Sequence, residues 1–211
     1  MNTSSLRLYV DSEFTSPYAM SVFVALREKR LDFEMSLVNL GHAGNRAPEY
    51  ANLSVTQRVP MLVHGRLAVS ESSAITEYLH ECFAQHPLYP QDPVQRARAR
   101  QVQAWLRSDL LALREERSTL GIFYGVHSGP LSCTAQAAAQ KLIEGAQVLL
   151  VNGAEYLFGR WSIADIDLAL MLNRLILNGD PVPADLVAYA DRQWQHAAVR
   201  EWMALERPAL G

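Results

Sequence analysis

The sequence predicts a chain of two unlike halves, an α/β N-terminal domain followed by an all-α C-terminal helical bundle. Three observations carry this. Leu6-Arg7-Leu8-Tyr9-Val10 alternates apolar and polar residues, and short apolar runs recur up to Val69 with a helical stretch between them. His86-Pro87-Leu88-Tyr89-Pro90-Gln91-Asp92-Pro93 carries three prolines in eight residues, which suits a linker. Beyond it the apolar spacing is helical throughout. The expected domains are therefore 1–85 and 94–211, joined by a linker at 86–93.

Taken in order, the strand at 6–10 is followed by Ser16-Pro17, with serine at a helix cap and proline at the first helical position. A helix over Tyr18 to Lys29 turns Met20, Phe23, Val24 and Ala25 toward a core. Phe33 to Leu40 reads as a second strand. Gly41 to Thr56 is rich in Gly, Pro and Asn and reads as a loop with one short helix. Val59-Pro60 leads into a strand at Met61 to Val63, a turn at His64-Gly65-Arg66 and a strand at Leu67 to Val69. Ser70-Glu71-Ser72-Ser73 then opens an amphipathic helix ending near Ala84. The order is β-α-β-loop-β-β-α. In the second half, helices are expected at Val94 to Arg117, Thr134 to Val151, Ile163 to Leu177, Pro183 to Gln195 and Ala197 to Leu205. The third is apolar nearly all round and should be the buried centre. Ser162 with Asp165 three residues on is a capping box at its start, and Trp161 and Ile166 are spaced for a hydrophobic staple. This signal is structural.

Composition narrows the class. Of 211 residues, 49% are hydrophobic and 19% charged, a globular balance. The net charge of -3 argues against nucleic-acid binding. No apolar run approaches the ~20 residues a membrane span needs. The first residues lack the basic start and apolar core of a secretory signal, which points to the cytoplasm. Two cysteines, Cys82 and Cys133, stand far apart and offer no disulfide framework. The histidines show no metal-ligand spacing, so no metal is expected.

The chemistry gathers around 58–75. A helix opened by Ser70-Glu71-Ser72-Ser73 presents fresh amides, which together with the Ser72 hydroxyl can take a carboxylate, while Glu71 can pair with an ammonium. A small zwitterionic peptide fits that pair. A cis bond at Val59-Pro60, open to X-Pro steps alone at modest cost, would turn the Val59 amide and carbonyl outward to meet an extended peptide. Ser16 heads the first helix. With no histidine–acid partner in view it is a poor nucleophile but a good donor to another molecule's thiolate. Thr15 becomes the rival if the helix starts one residue earlier. Tyr9 is a further alternative, though its alternation with Leu6 and Leu8 makes it a sheet-face residue. Arg96, Arg100, Arg107 and Arg114 read as a solvated helix face. Trp105, Phe123 and Tyr124 suit either a pocket for an apolar ligand or the core.

The β-α-β-loop-β-β-α order with an X-Pro before the hairpin resembles the thioredoxin fold. Ser16-Pro17-Tyr18-Ala19 stands where glutaredoxins carry Cys-Pro-Tyr-Cys. With Glu71-Ser72, the linker, the helical second half and the 161–166 capping box, residues 6 to 205 resemble a cytosolic glutathione transferase. The likeness is greatest to the bacterial YfcF-type members with serine at the active position. The resemblance implies that Ser16 hydrogen-bonds the glutathione sulfur and favours its thiolate. It implies that Val59, beside a cis Pro60, bonds the cysteinyl unit through its main chain, and that Glu71 and Ser72 hold the γ-glutamyl end. Gln57 and Arg58 are further candidates, although the Asn-Pro and glycine common in the family ahead of Val-Pro are absent here. Glutathione is then a cosubstrate and no tightly bound cofactor is expected. The partners implied are a small hydrophobic electrophile or peroxide, and a second copy in a homodimer. Without a cysteine in the first turn of the first helix, mixed-disulfide chemistry is disfavoured. Peroxide reduction is compatible, because glutathione supplies the sulfur. The alternatives are a glutathione-dependent isomerase of the zeta type and a non-catalytic glutathione- or ligand-binding protein.

Overall fold

The computed structural model describes residues 5–210. The chain divides into two compact units. One runs to Leu88 and takes back the chain from Glu201 onward; the other is Tyr89–Arg200.

The first unit is built on a four-stranded sheet of β1 (Leu6–Asp11), β2 (Phe33–Val38), β3 (Met61–His64) and β4 (Leu67–Ser70). The strand order is β2-β1-β3-β4. β1 and β2 are parallel, which requires the crossover helix α1 (Pro17–Glu28) between them. β3 and β4 are antiparallel and joined by the His64–Leu67 turn, where Gly65 takes a positive φ. Leu6, Leu8 and Val10 alternate onto the buried face of β1. The core of this unit adds Ala19, Met20, Phe23 and Val24 of α1 and Ile75 and Leu79 of α3 (Ser72–Cys82). Trp202 completes it, with its ring 5.7 Å from Phe14 and 5.2 Å from Phe23. On the other face Tyr9 meets Tyr50 of the short helix α2 (Pro48–Ala51), ring centroids 5.5 Å apart. A 3-10 turn over Gly44–Arg46 precedes α2, so the loop expected to hold one short helix holds two helical turns. Strand β2 stops at Val38 rather than Leu40, because Asn39 and Leu40 turn out into solvent.

Buried Lys29, 4% exposed, closes the far end of α3: its ammonium donates to the Phe83 carbonyl and, at 3.0 Å, to the Gln85 carbonyl. Burial pulls its pKa below 10.5.

The second unit is helical: α4 (Pro93–Ser108), α5 (Leu111–Glu116), α6 (Leu120–Tyr124), α7 (Cys133–Leu149), α8 (Ile163–Ile176) and α9 (Ala184–Trp194), with α10 (Ala197–Met203) after them. All of α8 except Asp167 and Ile176 is buried, as its near-uniform apolar character requires. One expectation is overturned. The single helix read over Val94 to Arg117 is two, α4 and α5, broken where Leu110 takes φ 60°. Asp109 explains the break. Its carboxylate accepts from the Leu110 amide at 2.8 Å, from Trp105 Nε1 at 3.1 Å and from Lys141 of α7. Those bonds hold the segment out of helical geometry, whereas the apolar spacing runs through it undisturbed. A second correction concerns Arg107, expected on a solvated face. It is largely buried and pairs with Asp167 of α8 at 3.1 Å, which also accepts from Gln103 at 2.7 Å. Cys82 and Cys133 are free thiols.

Candidate active site

The strand register brings the separated motifs to one end of the first unit's sheet. Tyr9 pairs Met61, Met61 pairs Ser70, and Asp11 pairs Val38. The end of β1, the end of β2, the start of β3 and the end of β4 therefore lie side by side. The turn to α1, the loop before Val59 and the Glu71 start of α3 all emerge there.

The β1–α1 turn is tied by Asp11, a carboxylate that is 1% exposed. Its Oδ2 accepts the Thr15 amide at 2.6 Å and the Thr15 hydroxyl at 2.9 Å. The Ser16 amide donates to its two oxygens at 3.1 and 3.2 Å. Ser16 is the cap of α1, and its Oγ accepts from the Ala19 amide at 3.2 Å. Pro17 occupies the first helical position, where a missing N–H costs nothing.

The loop before Val59 is braced from inside. Gly44 lies so close to Asn39 that a Cβ there would sit 2.9 Å from the Asn39 carbonyl oxygen. Asn45 Nδ2 donates to the Gln57 carbonyl at 2.9 Å, and the Tyr50 hydroxyl donates to the Arg58 carbonyl at 2.7 Å. Burial pushes the Tyr50 pKa up to about 12, so it stays a donor. Ser54 and Ser70 hydroxyls bond at 3.0 Å, fastening the loop to the end of β4. The Val59–Pro60 peptide bond is cis. Half-buried Val59 packs on Val38, Tyr50 and Met61. Its own N–H and C=O make no hydrogen bond among the described residues.

Helix α3 starts differently from α1. Its cap residue is Glu71, at φ 70° and ψ 114°, with no side-chain capping bond. A non-glycine residue there carries a backbone cost of roughly 1–3 kcal/mol, and such strain gathers at ligand sites. The Glu71 carboxylate is exposed and makes no hydrogen bond or ion pair among the described residues. No side chain of the cap residue covers the start of α3, the kind of helix end at which anions bind. Ser72 is buried beneath them.

One end of the sheet thus holds Ser16, Val59, Pro60, Glu71 and Ser72 within a common frame. Gln57 and Arg58 are exposed on the same loop, their carbonyls engaged by Asn45 and Tyr50. Tyr9 lies on the Tyr50 face of the sheet. Sequence reasoning missed Asp11. The only signal for it was a charged residue closing an apolar strand four and five residues ahead of two hydroxyls. Among the described residues no group of three metal-ligating side chains occurs. No helix there is long and apolar enough to cross a membrane. Two surface cavities lie elsewhere. One of about 570 Å³ is lined by Leu6, Arg30, Phe33, His64 and Phe83 at the opposite end of the sheet. The other, of about 470 Å³, lies on α4 and α7 around Trp105, whose ring packs on Gly145.

A four-stranded thioredoxin-like sheet in one unit and a helical second unit define a class of protein. Residues 15–82 match the N-terminal domain of glutathione S-transferases and residues 92–207 match their C-terminal domain. The chain belongs to the glutathione S-transferase family. Among solved structures it is similar to a glutathione transferase homologue from Burkholderia (BGR1) with bound glutathione. That protein is 42% identical, with a TM-score of 0.76, over 94% of this chain and 95% of that one. Glutathione S-transferase 1 of Dianthus caryophyllus is 41% identical over 95 residues, 45% of this chain and 42% of that protein. Maleylacetoacetate isomerase of Pseudomonas aeruginosa is 38% identical over 109 residues, half of each chain. The first curated relatives are matched over only 35–42% of their own length.

Proposed function

We propose that this protein is a glutathione transferase of the serine type, activating the thiol of bound glutathione for attack on small hydrophobic electrophiles. The observation that carries the reading is the set of unpaired groups at one end of the sheet. These are the Val59 main chain and the Glu71 carboxylate, which sits on a strained backbone at the start of α3. Buried or strained polar groups left without partners mark a place where a ligand supplies them. A γ-glutamyl peptide has the complementary groups. Its ammonium meets Glu71, its α-carboxylate meets the α3 amides and Ser72, and its cysteinyl main chain pairs with Val59 beside Pro60. Gln57 and Arg58 flank the remaining length.

The sulfur then comes to the head of α1. There the helix N-terminus favours negative charge and the Ser16 hydroxyl can donate a hydrogen bond to the thiolate. The thiol proton leaves to solvent. The thiolate forms a carbon–sulfur bond as the leaving group departs with its electron pair. The helical unit we assign to electrophile selection, as the resemblance implies. The same thiolate can reduce a peroxide, two glutathiones and one hydroperoxide giving glutathione disulfide, an alcohol and water. The family reading also implies a cytoplasmic homodimer.

A second reading is a zeta-type isomerase, favoured by the identity with maleylacetoacetate isomerase and with a zeta-class transferase of Euphorbia esula, 38% over 91 residues. Turnover of maleylacetone distinguishes it. For the main reading, the thiolate absorbance of bound glutathione is titrated from about pH 5 to 10. A midpoint well below the ordinary thiol value of about 8.5 is expected. No binding, or no downward shift, removes the transferase reading.

A further inference from the structure

We infer that Asp11 is a positioning residue that decides which hydroxyl can reach the glutathione sulfur, by holding Thr15 and leaving Ser16 free to donate. The inference rests on the transferase reading of this site. Two hydroxyls stand one residue apart at the head of α1, and either could serve by position alone. Asp11 treats them differently. A carboxylate only accepts, so the 2.9 Å contact from Thr15 Oγ1 uses the single hydrogen that hydroxyl has. What Thr15 can still offer outward is lone pairs, which repel a thiolate. Ser16 is held through its backbone amide instead, at 3.1 and 3.2 Å. Its Oγ accepts from the Ala19 amide, and its own hydrogen donates to no atom among the described residues. The hydrogen left for a sulfur anion is therefore that of Ser16.

Asp11 is almost wholly buried, so its oxygens are directed to these bonds and away from bulk solvent. The charged neighbours on the turn are Glu13, which accepts from Ser12 at 2.9 Å, and Arg207, whose guanidinium donates to the Phe14 carbonyl at 3.5 Å. Neither approaches Thr15 or Ser16 by a hydrogen bond among the described residues. The role of Asp11 has a sign that a bare charge would not have. A carboxylate near a thiolate repels it, so removing the charge alone should lower the thiol midpoint. Loosening the bonds that hold the Ser16 amide, and with it the place of the Ser16 hydroxyl, should raise it.

The test uses the full chain with glutathione and chlorodinitrobenzene, reading the thiolate midpoint and kcat/KM. Thr15→Ala is expected to leave the midpoint in place and kcat/KM within about twofold, while Ser16→Ala moves the midpoint back toward free glutathione. Asp11→Asn is expected to raise the midpoint and lower kcat/KM about tenfold. On the Asp11→Asn background Ser16→Ala should cost less than about threefold more, because both changes strike one donor. Thr15→Ala falling as far as Ser16→Ala, a lowered midpoint in Asp11→Asn, or a full Ser16→Ala penalty on that background each overturns the inference. The Thr15→Ala arm decides even if Asp11→Asn does not fold. A wild-type midpoint equal to that of free glutathione overturns the transferase reading and this inference together. A depressed wild-type midpoint with any failing arm overturns the inference alone.

Discussion

Helices α3 and α8 both begin with a serine and a carboxylate within their first turn, and with opposite physics. At the start of α8, Asp165 is fully buried and its carboxylate accepts from the Ser162 amide, the Ser162 hydroxyl and the Leu157 amide at 2.8 Å each. The Tyr189 hydroxyl adds a fourth bond at 2.9 Å. Burial still pushes the Asp165 pKa up, and burial first, then the neighbouring Asp165 charge, pushes the Tyr189 phenol well above its ordinary value. At the start of α3, Glu71 is exposed, lacks a capping bond and sits at positive φ. One helix start is closed within the protein; the other is left open. A closed start should cost stability when altered and leave ligand binding alone. An open start should do the reverse.

The largest effect is expected at the closed start. Asp165→Ala removes the acceptor of three donors and leaves Tyr189 only the residue-165 carbonyl at 3.4 Å, and should destabilise by about 3–5 kcal/mol. A thermal melt should show it, with glutathione affinity per folded molecule retained. Next comes Ser16→Ala, where kcat/KM should fall about a hundredfold, the scale of losing one donor to a developing anion. Its melting temperature should move only by the loss of one cap, about 1 kcal/mol. A large stability loss without an activity loss would place Ser16 with Asp165 and break the division.

Lys29→Met sharpens the comparison with a second closed helix end. It unpairs the Phe83 and Gln85 carbonyls and should cost about 2 kcal/mol. The pH dependence has a defined sign. The folded-state pKa of Lys29 lies below 10.5, so between that value and 10.5 the unfolded chain binds more protons. Stability contributed by this group therefore rises with pH through that window, and urea melts of Lys29→Met should lose the rise. The smallest effect belongs to the open start and should split by sign. Glu71→Gly relieves the positive φ and should add about 1 kcal/mol of stability. The same change should weaken glutathione binding about tenfold by removing the carboxylate. Loss of stability in Glu71→Gly would show that the strained cap is held for the fold.

Much of this is legible in the amino-acid sequence alone. Alternation at 6–10, Ser16-Pro17 as a helix start and the capping box at 162–165 are local signals, each carried by neighbouring residues. The motifs of the open site, Val59-Pro60 and Glu71-Ser72, were readable for the same reason. Asp11 was not, because its role lies in bonds running from a strand end to a helix head. The break at Leu110 was not either, since Asp109 is drawn out of the helix partly by Lys141, on another helix.

The sequence by itself determined the β-α-β-loop-β-β-α order of the first half, the division near the proline-rich stretch and the family, because periodicity, caps and turn residues act over a few positions. Only the tertiary structure decided which polar groups are engaged and which are left open. Thr15 and Ser16 are equal as letters, and Asp165 and Glu71 are both carboxylates near helix starts. Hydrogen bonds need donors and acceptors within about 3 Å, and that proximity is set by strand register and packing rather than by spacing along the chain.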